Sequence, residues 1–386
     1  MSTQSFHASN DGSSREEQTE TVTMLRESAE DFVRAKTAGR PLRAFRHVMP
    51  GYDPQLLAEM GELGWLGILA PATSGGMGLG FREMAAVLEE TSAYLIAEPL
   101  TATVVLAGRV LERSANTELR SELLSSLVAG LGFPALAWQE RLGNRDILDV
   151  TTTLRPAGRA YRLEGQKQFV VGAGAASGFV VSCKQGEELI LVWVPASQVK
   201  VASHWRSDGV PVLQVTFDDV PVSKAQILQA GVGAADALRC TIVETTVMVC
   251  AELVGLSRRV LAMTLEYMGI REQYGEHIGS FQALRHRAVD LFVQRELAIS
   301  VTAEAIAALG HEVSSTAMQR LASRAKARCS DAALRITREA IQLHGAIGYT
   351  DEHDLGLFVK RALALSAWLG NAAEHRAQYA GLRNVN

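Results

Sequence analysis

The spacing of apolar residues changes twice along the chain. From Thr21 to about Leu131 apolar positions recur every three or four residues, as in Leu56, Leu57, Met60, Leu63 and then Met84, Val87, Leu88, the signature of amphipathic helices. Gly64-Trp-Leu-Gly67 and Ser74-Gly-Gly-Met-Gly-Leu-Gly80 interrupt the pattern. The second run follows Pro71 rather than a β-pattern and lacks the order of a phosphate-binding loop, so it predicts a turn before a helix starting near Phe81.

From about Ala135 to Leu228 the period falls to two and β-branched residues dominate. Strands are predicted at 151–154, 161–163, 168–171, 179–182, 189–194 and 212–217. Short, closely spaced strands point to an antiparallel barrel or sandwich rather than to βαβ units. Gly172-Ala-Gly-Ala-Ala-Ser177 looks like half a dinucleotide fingerprint, but a strand follows it within two residues. That leaves no helix N-terminus for a pyrophosphate.

Helical spacing returns near Ala234 in four long segments, roughly 234–269, 280–309, 314–345 and 352–380, with loops short enough for antiparallel neighbours. The expected architecture is α+β: a tail over 1–20, an N-terminal helical domain over 21–134, a middle antiparallel β-barrel or sandwich domain over 135–233, and a C-terminal four-helix bundle over 234–386. A length of 386 residues is enough for that many cores.

Composition narrows the class. Acidic residues exceed Lys plus Arg by four, so no basic field calls for nucleic acid. The four cysteines are widely separated, with no C-x-x-C and no matching histidines. This argues against a disulfide framework or a zinc site and fits a reducing compartment, hence a cytoplasmic protein. The polar, acidic first twenty residues lack the apolar core of a secretory signal, and no run reaches the ~20 continuous apolar residues of a membrane span. Arg324, Lys326, Arg328, Arg335 and Arg338 are expected on a solvated helix face.

Two motifs carry candidate chemistry. Arg271-Glu-Gln-Tyr-Gly-Glu-His-Ile-Gly-Ser-Phe-Gln282 sits between two long helical patterns and displays an arginine, an aromatic ring and a side-chain amide. Those groups suit a phosphate and a flat heterocycle, though a solvated loop shows the same composition. Near the end of the third bundle helix stands Gln342-Leu-His-Gly-Ala-Ile-Gly-Tyr-Thr350. Its small residues Gly345, Ala346 and Gly348 end the helix and permit close approach of a ligand to the backbone; His344 has no second ligand at metal spacing.

These two motifs, with the helical–β–helical order, resemble the acyl-CoA dehydrogenase family of FAD flavoproteins, over nearly the whole chain from about Leu25. The phrases Gly61-Glu-Leu-Gly-Trp-Leu-Gly-Ile-Leu-Ala-Pro71 and Gly75-Gly-Met-Gly-Leu79 look like its N-terminal domain. The resemblance implies FAD, an acyl-CoA substrate, a shared cofactor pocket in an oligomer and electron-transfer flavoprotein as acceptor. Arg271, Tyr274, Phe281 and Gln282 would approach the FAD of a neighbouring subunit, Arg271 on the pyrophosphate and Gln282 near the adenosine half. Gln342, Gly345 and Ala346 would contact the pyrophosphate, Phe169, Val171 and Asn371 would complete the flavin site, and Trp368 and Gly370 would face substrate.

Three departures stand out. The Gly-rich loop that usually covers the flavin is replaced by Ala137-Trp-Gln-Glu140 and Arg141-Leu-Gly-Asn144. Phe169-Val-Val171 replaces a threonine-bearing strand, leaving backbone amides for the flavin. The reaction wants a carboxylate in a dry pocket to take the α-proton, yet the family's usual glutamate position reads Leu369. Glu244 and Glu252 on the first bundle helix are the remaining candidates. Glu244 is one residue, about 100°, from the alternative base position at Thr245, and Glu252 is about 10 Å further along the helix. The alternatives are an ion pair with a bundle arginine for Glu252 and a solvated or paired surface residue for Glu244. The same departures resemble the small subunits of two-component acyl-CoA dehydrogenases, such as the pimeloyl-CoA dehydrogenase type, whose partner subunit brings the glutamate. A self-sufficient homotetramer, a non-catalytic subunit that completes the FAD pocket, and a flavin monooxygenase-like member of the fold are the alternatives.

Overall fold

A computed structural model describes residues 11–36, 41–310 and 314–382. The N-terminal part is helical: α1 (Asp11–Lys36), α2 (Pro41–Phe45), α3 (Pro54–Glu62), α4 (Phe81–Ala93), α5 (Gly108–Glu112) continuing a π-helical stretch over Thr101–Ala107, and α6 (Thr117–Val128). The expected N-terminal tail lies outside the described residues up to position 10. Asp11–Glu20 belong to α1 instead, because their Glu, Gln and Arg residues are good helix formers. α4 begins where the glycine run predicts, and Glu83 closes its first turn by accepting from Gly80 N–H at 2.9 Å.

The middle part is one eight-stranded sheet: β1 (Pro134–Ala137), β2 (Thr153–Ala157), β3 (Ala160–Val171), β4 (Gly178–Gln185), β5 (Glu188–Pro195), β6 (Lys200–Trp205), β7 (Pro211–Val222) and β8 (Ile227–Ala230). The strand order is β6-β7-β3-β2-β4-β5-β8, with β1 beside β4. The sheet is open and mixed rather than a closed antiparallel barrel. β1 runs parallel to β4, and β2 meets β4 through a single parallel pairing, Thr153 with Lys184. That thin seam divides the sheet into two halves, antiparallel except where β1 lies beside β4, whose inward residues, Leu163, Val215 and Phe217 from one and Val181, Ile190 and Val192 from the other, share a core of their own.

The C-terminal part contains α7 (Gly231–Ile270), a hairpin of β9 (Glu272–Gln273) and β10 (Glu276–His277), α8 (Gln282–Leu309), α9 (Ser315–His344), α10 (Leu355–Ala367) and α11 (Ala372–Leu382). α7 packs on α4, α8, α9 and α10 and so joins the two helical parts in one core. By length and composition it could cross a membrane, but 83% of its most apolar window is buried inside the fold, as a core helix requires. Gly255 shows how close the packing is: a Cβ there would lie 2.0 Å from the Glu89 carbonyl oxygen on α4.

Two expectations about the bundle need correction. The fourth segment is two helices, broken where Leu369 and Gly370 take φ of 59° and 109°, conformations that cannot continue a right-handed helix. The basic run on α9 is not one solvated face. Arg324 pairs with Glu304 and Arg335 approaches Asp290, but Lys326 is fully buried.

Candidate active site

The predicted site residues separate into two groups. The first is exposed at one end of the bundle. Arg271 ends α7, its N–H donating to the Tyr267 carbonyl at 2.9 Å, and β9–β10 follows. The two turn residues, Tyr274 and Gly275, have φ of 54° and 79°, as a two-residue hairpin turn matching the strand twist needs. Tyr274 is 96% exposed and meets Phe281 edge-on at 6.4 Å; Gln282 opens α8 beside it.

The second motif joins this group. Gly345 ends α9 at φ 66°, ψ −141°, a conformation open to glycine alone. A Cβ there would meet nothing within 4 Å. Gln342 and Ala346 are exposed on either side of it. His344, one residue before Gly345, stacks on Tyr267, four before Arg271, with ring centroids 4.4 Å apart. That stack holds the two motifs side by side. The side chains of Arg271, Tyr274, Gln282 and Gln342 make no hydrogen bond or ion pair with a described residue.

The second group lies inside, where the three parts of the chain meet. A narrow cavity of about 30 Å³ is bordered by Tyr52, Glu98, Val171, Glu252, Arg361 and Trp368, among others. That volume holds one or two waters. Val171 and Phe169 lie at the end of β3, where a bulge sets Phe169 at φ 59°. Trp368 and Leu369 are buried in the turn between α10 and α11. Asn371 is exposed, and its side-chain oxygen is used to cap α11, accepting from Ala373 N–H at 2.9 Å and Glu374 N–H at 3.1 Å.

Neither candidate base is a free carboxylate. Glu244 accepts from Arg113 at 2.5 Å and from Arg109 at 3.2 Å, and it is not among the residues bordering the cavity. Glu252 borders the cavity but accepts from Thr101 Oγ1 at 2.6 Å and from Arg361 Nη2 at 2.9 Å. Arg361 also donates to Asp208 at 3.2 Å, and Asp208 accepts from Arg206 at 2.7 Å. Burial raises the Asp208 pKa, but Arg206 and Arg361 outweigh it and hold the carboxyl below its usual value. The chain Thr101–Glu252–Arg361–Asp208–Arg206 thereby ties all three parts of the molecule together around the cavity.

Two side chains here went unread in the sequence. Glu98 is buried against the cavity; its Oε1 accepts from Asp53 N–H at 3.1 Å, while Oε2 has no partner among the described residues. Burial pushes its pKa up to about 7, partly offset by that backbone bond. The available signal was a carboxylate between the apolar Tyr94–Ala97 and Pro99. Lys167 is buried on β3 and donates to Glu140 at 2.7 Å and Ser182 at 3.0 Å. Glu140 in turn accepts from the Thr151 and Thr152 amides and hydroxyls. Despite the cost of its burial, Lys167 and the two threonines hold Glu140 at about 2. The segment that departs from the family's Gly-rich loop is thus anchored by a buried ion pair.

The three-part fold has clear counterparts. It matches butyryl-CoA dehydrogenase from Megasphaera elsdenii with a TM-score of 0.84 at 21% identity over 99% of both chains. It matches a chain of the ChsE4-ChsE5 complex from Mycobacterium tuberculosis with a TM-score of 0.84 at 24% identity, over 94% of this chain and 96% of that one. Residues 19–147 match the acyl-CoA dehydrogenase N-terminal domain and residues 232–381 the acyl-CoA dehydrogenase C-terminal domain. The chain belongs to the acyl-CoA dehydrogenase family of flavoprotein oxidoreductases. Among its relatives is acyl-CoA dehydrogenase IpdE2 of Mycolicibacterium smegmatis, 29% identical over 91% of this chain and 95% of that protein.

FAD is the cofactor that family membership implies, and the exposed bundle end fits it. Arg271 offers a fork of donors to a diphosphate, Tyr274, Gln282 and Gln342 offer polar groups not otherwise engaged, and the Gly345 turn leaves room for close approach.

Proposed function

We propose that this chain is one subunit of a heteromeric, FAD-dependent acyl-CoA dehydrogenase that introduces an α,β double bond into an acyl-CoA thioester. The observation that carries the reading is the division of the site. Cofactor-type residues lie exposed at the bundle end, whereas Val171 and Trp368 border an interior cavity, and none of the exposed group borders it. Such a division suits a site completed by a second subunit. Bound FAD supplies the acceptor for the hydride leaving the acyl β-carbon. Arg271, Gln342 and the Gly345–Ala346 backbone would hold its diphosphate, and Tyr274 and Gln282 its adenosine side.

The α-proton needs a carboxylate. Leu369 cannot take it, and Glu244 and Glu252 are both held by arginines, which favours a base brought by the partner. Val289, Phe292, Val293 and Leu297, 42–58% exposed along one side of α8, form an apolar stripe suited to a homologous subunit. Electron-transfer flavoprotein is the acceptor proposed by family analogy.

The test is to purify the chain alone and with the product of a neighbouring dehydrogenase gene, and to follow flavin bleaching by acyl-CoA. The pair is expected to bleach at least about a hundredfold faster than the lone chain; equal rates refute the division of labour. The second reading, a non-catalytic subunit that completes the FAD pocket, is favoured by the small volume of the interior cavity. It predicts one acyl-CoA bound per pair of subunits, and two bound per pair refute it.

A further inference from the structure

Lys326, near the middle of α9, is fully buried. Its ammonium donates to the carbonyl oxygens of Leu365 and Ser366 at 3.0 Å each, to that of Gly370 at 2.9 Å, and to Ser330 Oγ at 3.4 Å. No carboxylate among the described residues pairs with it; Arg145, Glu374, His375, Cys250 and Cys329 are the titratable or charged groups around it. The three carbonyls belong to the end of α10 and the turn that follows. A helix C-terminus leaves carbonyls unpaired and carries partial negative charge, and Lys326 answers both.

The same turn is gripped from two other elements. The Leu369 carbonyl faces His375 Nε2 at 3.0 Å and accepts from Arg145 Nη1 at 3.3 Å. Leu369 and Gly370 both have positive φ. A Cβ on Gly370 would lie 2.4 Å from Arg145 Nη1. Trp368, the first residue of this turn, borders the interior cavity. An ammonium buried without a counter-ion is costly, and a methionine would fill the same space without that cost. The charge makes sense as the means of holding a strained backbone in place.

We propose that Lys326 is a positioning residue of the acyl site: by clasping the carbonyls of Leu365, Ser366 and Gly370 it fixes the turn that sets Trp368 against the interior cavity. This rests on the proposed function, with the cavity, which has room for one or two waters as it stands, read as the inner wall of an acyl site that bound substrate must open. The ammonium itself touches no reacting atom. Its effect is carried through the turn, so it governs how the acyl chain is seated rather than the chemical step.

The experiment uses the protein with its co-purifying subunit, octanoyl-CoA as probe, and the variants Lys326→Met, Lys326→Arg and Trp368→Phe. Lys326→Met is expected to raise KM about tenfold while kcat changes less than about threefold. The emission of Trp368, taken as the difference from Trp368→Phe, should move to the red. Lys326→Arg, which keeps the charge and donors, should recover most of the emission. A folded Lys326→Met with wild-type KM and wild-type Trp368 emission overturns the proposal.

Should Lys326→Met not fold, the wild type and Lys326→Arg decide. Burial pushes the Lys326 pKa down to about 8, and loss of that proton removes one of three donors. Trp368 emission should therefore step as pH rises through the Lys326 pKa and stay flat in Lys326→Arg, whose guanidinium keeps its charge; the same step in both overturns the clasp. If octanoyl-CoA neither binds nor bleaches flavin in the wild type, the acyl-site reading fails, while the emission step still tests the clasp.

Discussion

Glu98 shows how one buried side chain governs a pH response. A carboxyl whose pKa is raised on folding binds its proton in the native state before the unfolded chain does. Its contribution to stability is therefore complete below about pH 4 and is lost as pH rises through about 7. Glu98→Gln keeps an acceptor for Asp53 N–H and removes the titration. We expect it to raise stability by about 2 kcal/mol near pH 8 and to flatten the fall between about pH 5 and pH 7, read from melting temperature against pH. Arg271 behaves oppositely. It is exposed and its side chain makes no hydrogen bond or ion pair with a described residue, so Arg271→Ala should leave the melting temperature of the lone chain within about 1 °C. Flavin affinity of the assembled protein should nonetheless fall about tenfold or more, because a charge-assisted fork to phosphate is lost. A dialysis measurement of bound flavin checks it.

At the scale of elements, periodicity carried most of the architecture and failed where pattern and environment diverge. α7, α8 and α9 begin and end within a few residues of their predicted limits, and α4 begins where predicted, at Phe81. β6, Lys200–Trp205, was missed because all six of its residues are exposed; an edge strand without a buried face carries no alternation to read. The break between α10 and α11 was missed because Leu369 carries no local sign of its positive φ, which tertiary contacts impose. Lys326 was absorbed into a basic run that looked solvated. The exposed stripe on α8 was readable only after its neighbours were placed, since burial by α9 and exposure to a partner give the same spacing. Val293→Lys, in the middle of that stripe, should leave the fold intact and weaken subunit association by about 2 kcal/mol or more, measured by sedimentation against concentration. Unchanged association would remove α8 as a contact face.

At the scale of the whole molecule, the two cofactor motifs were legible as chemistry but not as a place. Residue chemistry marked Arg271 as a group able to meet a phosphate and Gly345 as a point of close ligand approach, while the role of Gln342 came only from the family resemblance. Only the fold places them together, through Tyr267 on His344, and apart from Val171 and Trp368. The ion pair of Glu252 with a bundle arginine was one of the sequence alternatives, but the rest of the interior junction was not readable, because Thr101, Asp208, Glu252 and Arg361 come from four distant stretches and acquire meaning only as a linked chain of charges. That junction and the open seam between the two halves of the sheet set where the molecule is tied firmly and where it is tied by little.

α7 carries a different consequence, one for the newly made chain rather than the finished protein. One stretch of its forty residues is apolar enough, by length and composition, to pass for a membrane span, and it is covered by partners encoded on both sides of it. α4 precedes α7, but α9 lies some fifty residues beyond its end. At an elongation rate of about 5–20 residues per second, α7 leaves the ribosome seconds before the helix that completes its cover. Through that interval the apolar face of α7 that α9 will cover is left open, so the order of synthesis bears on how safely this chain folds as well as on the stability of its final fold.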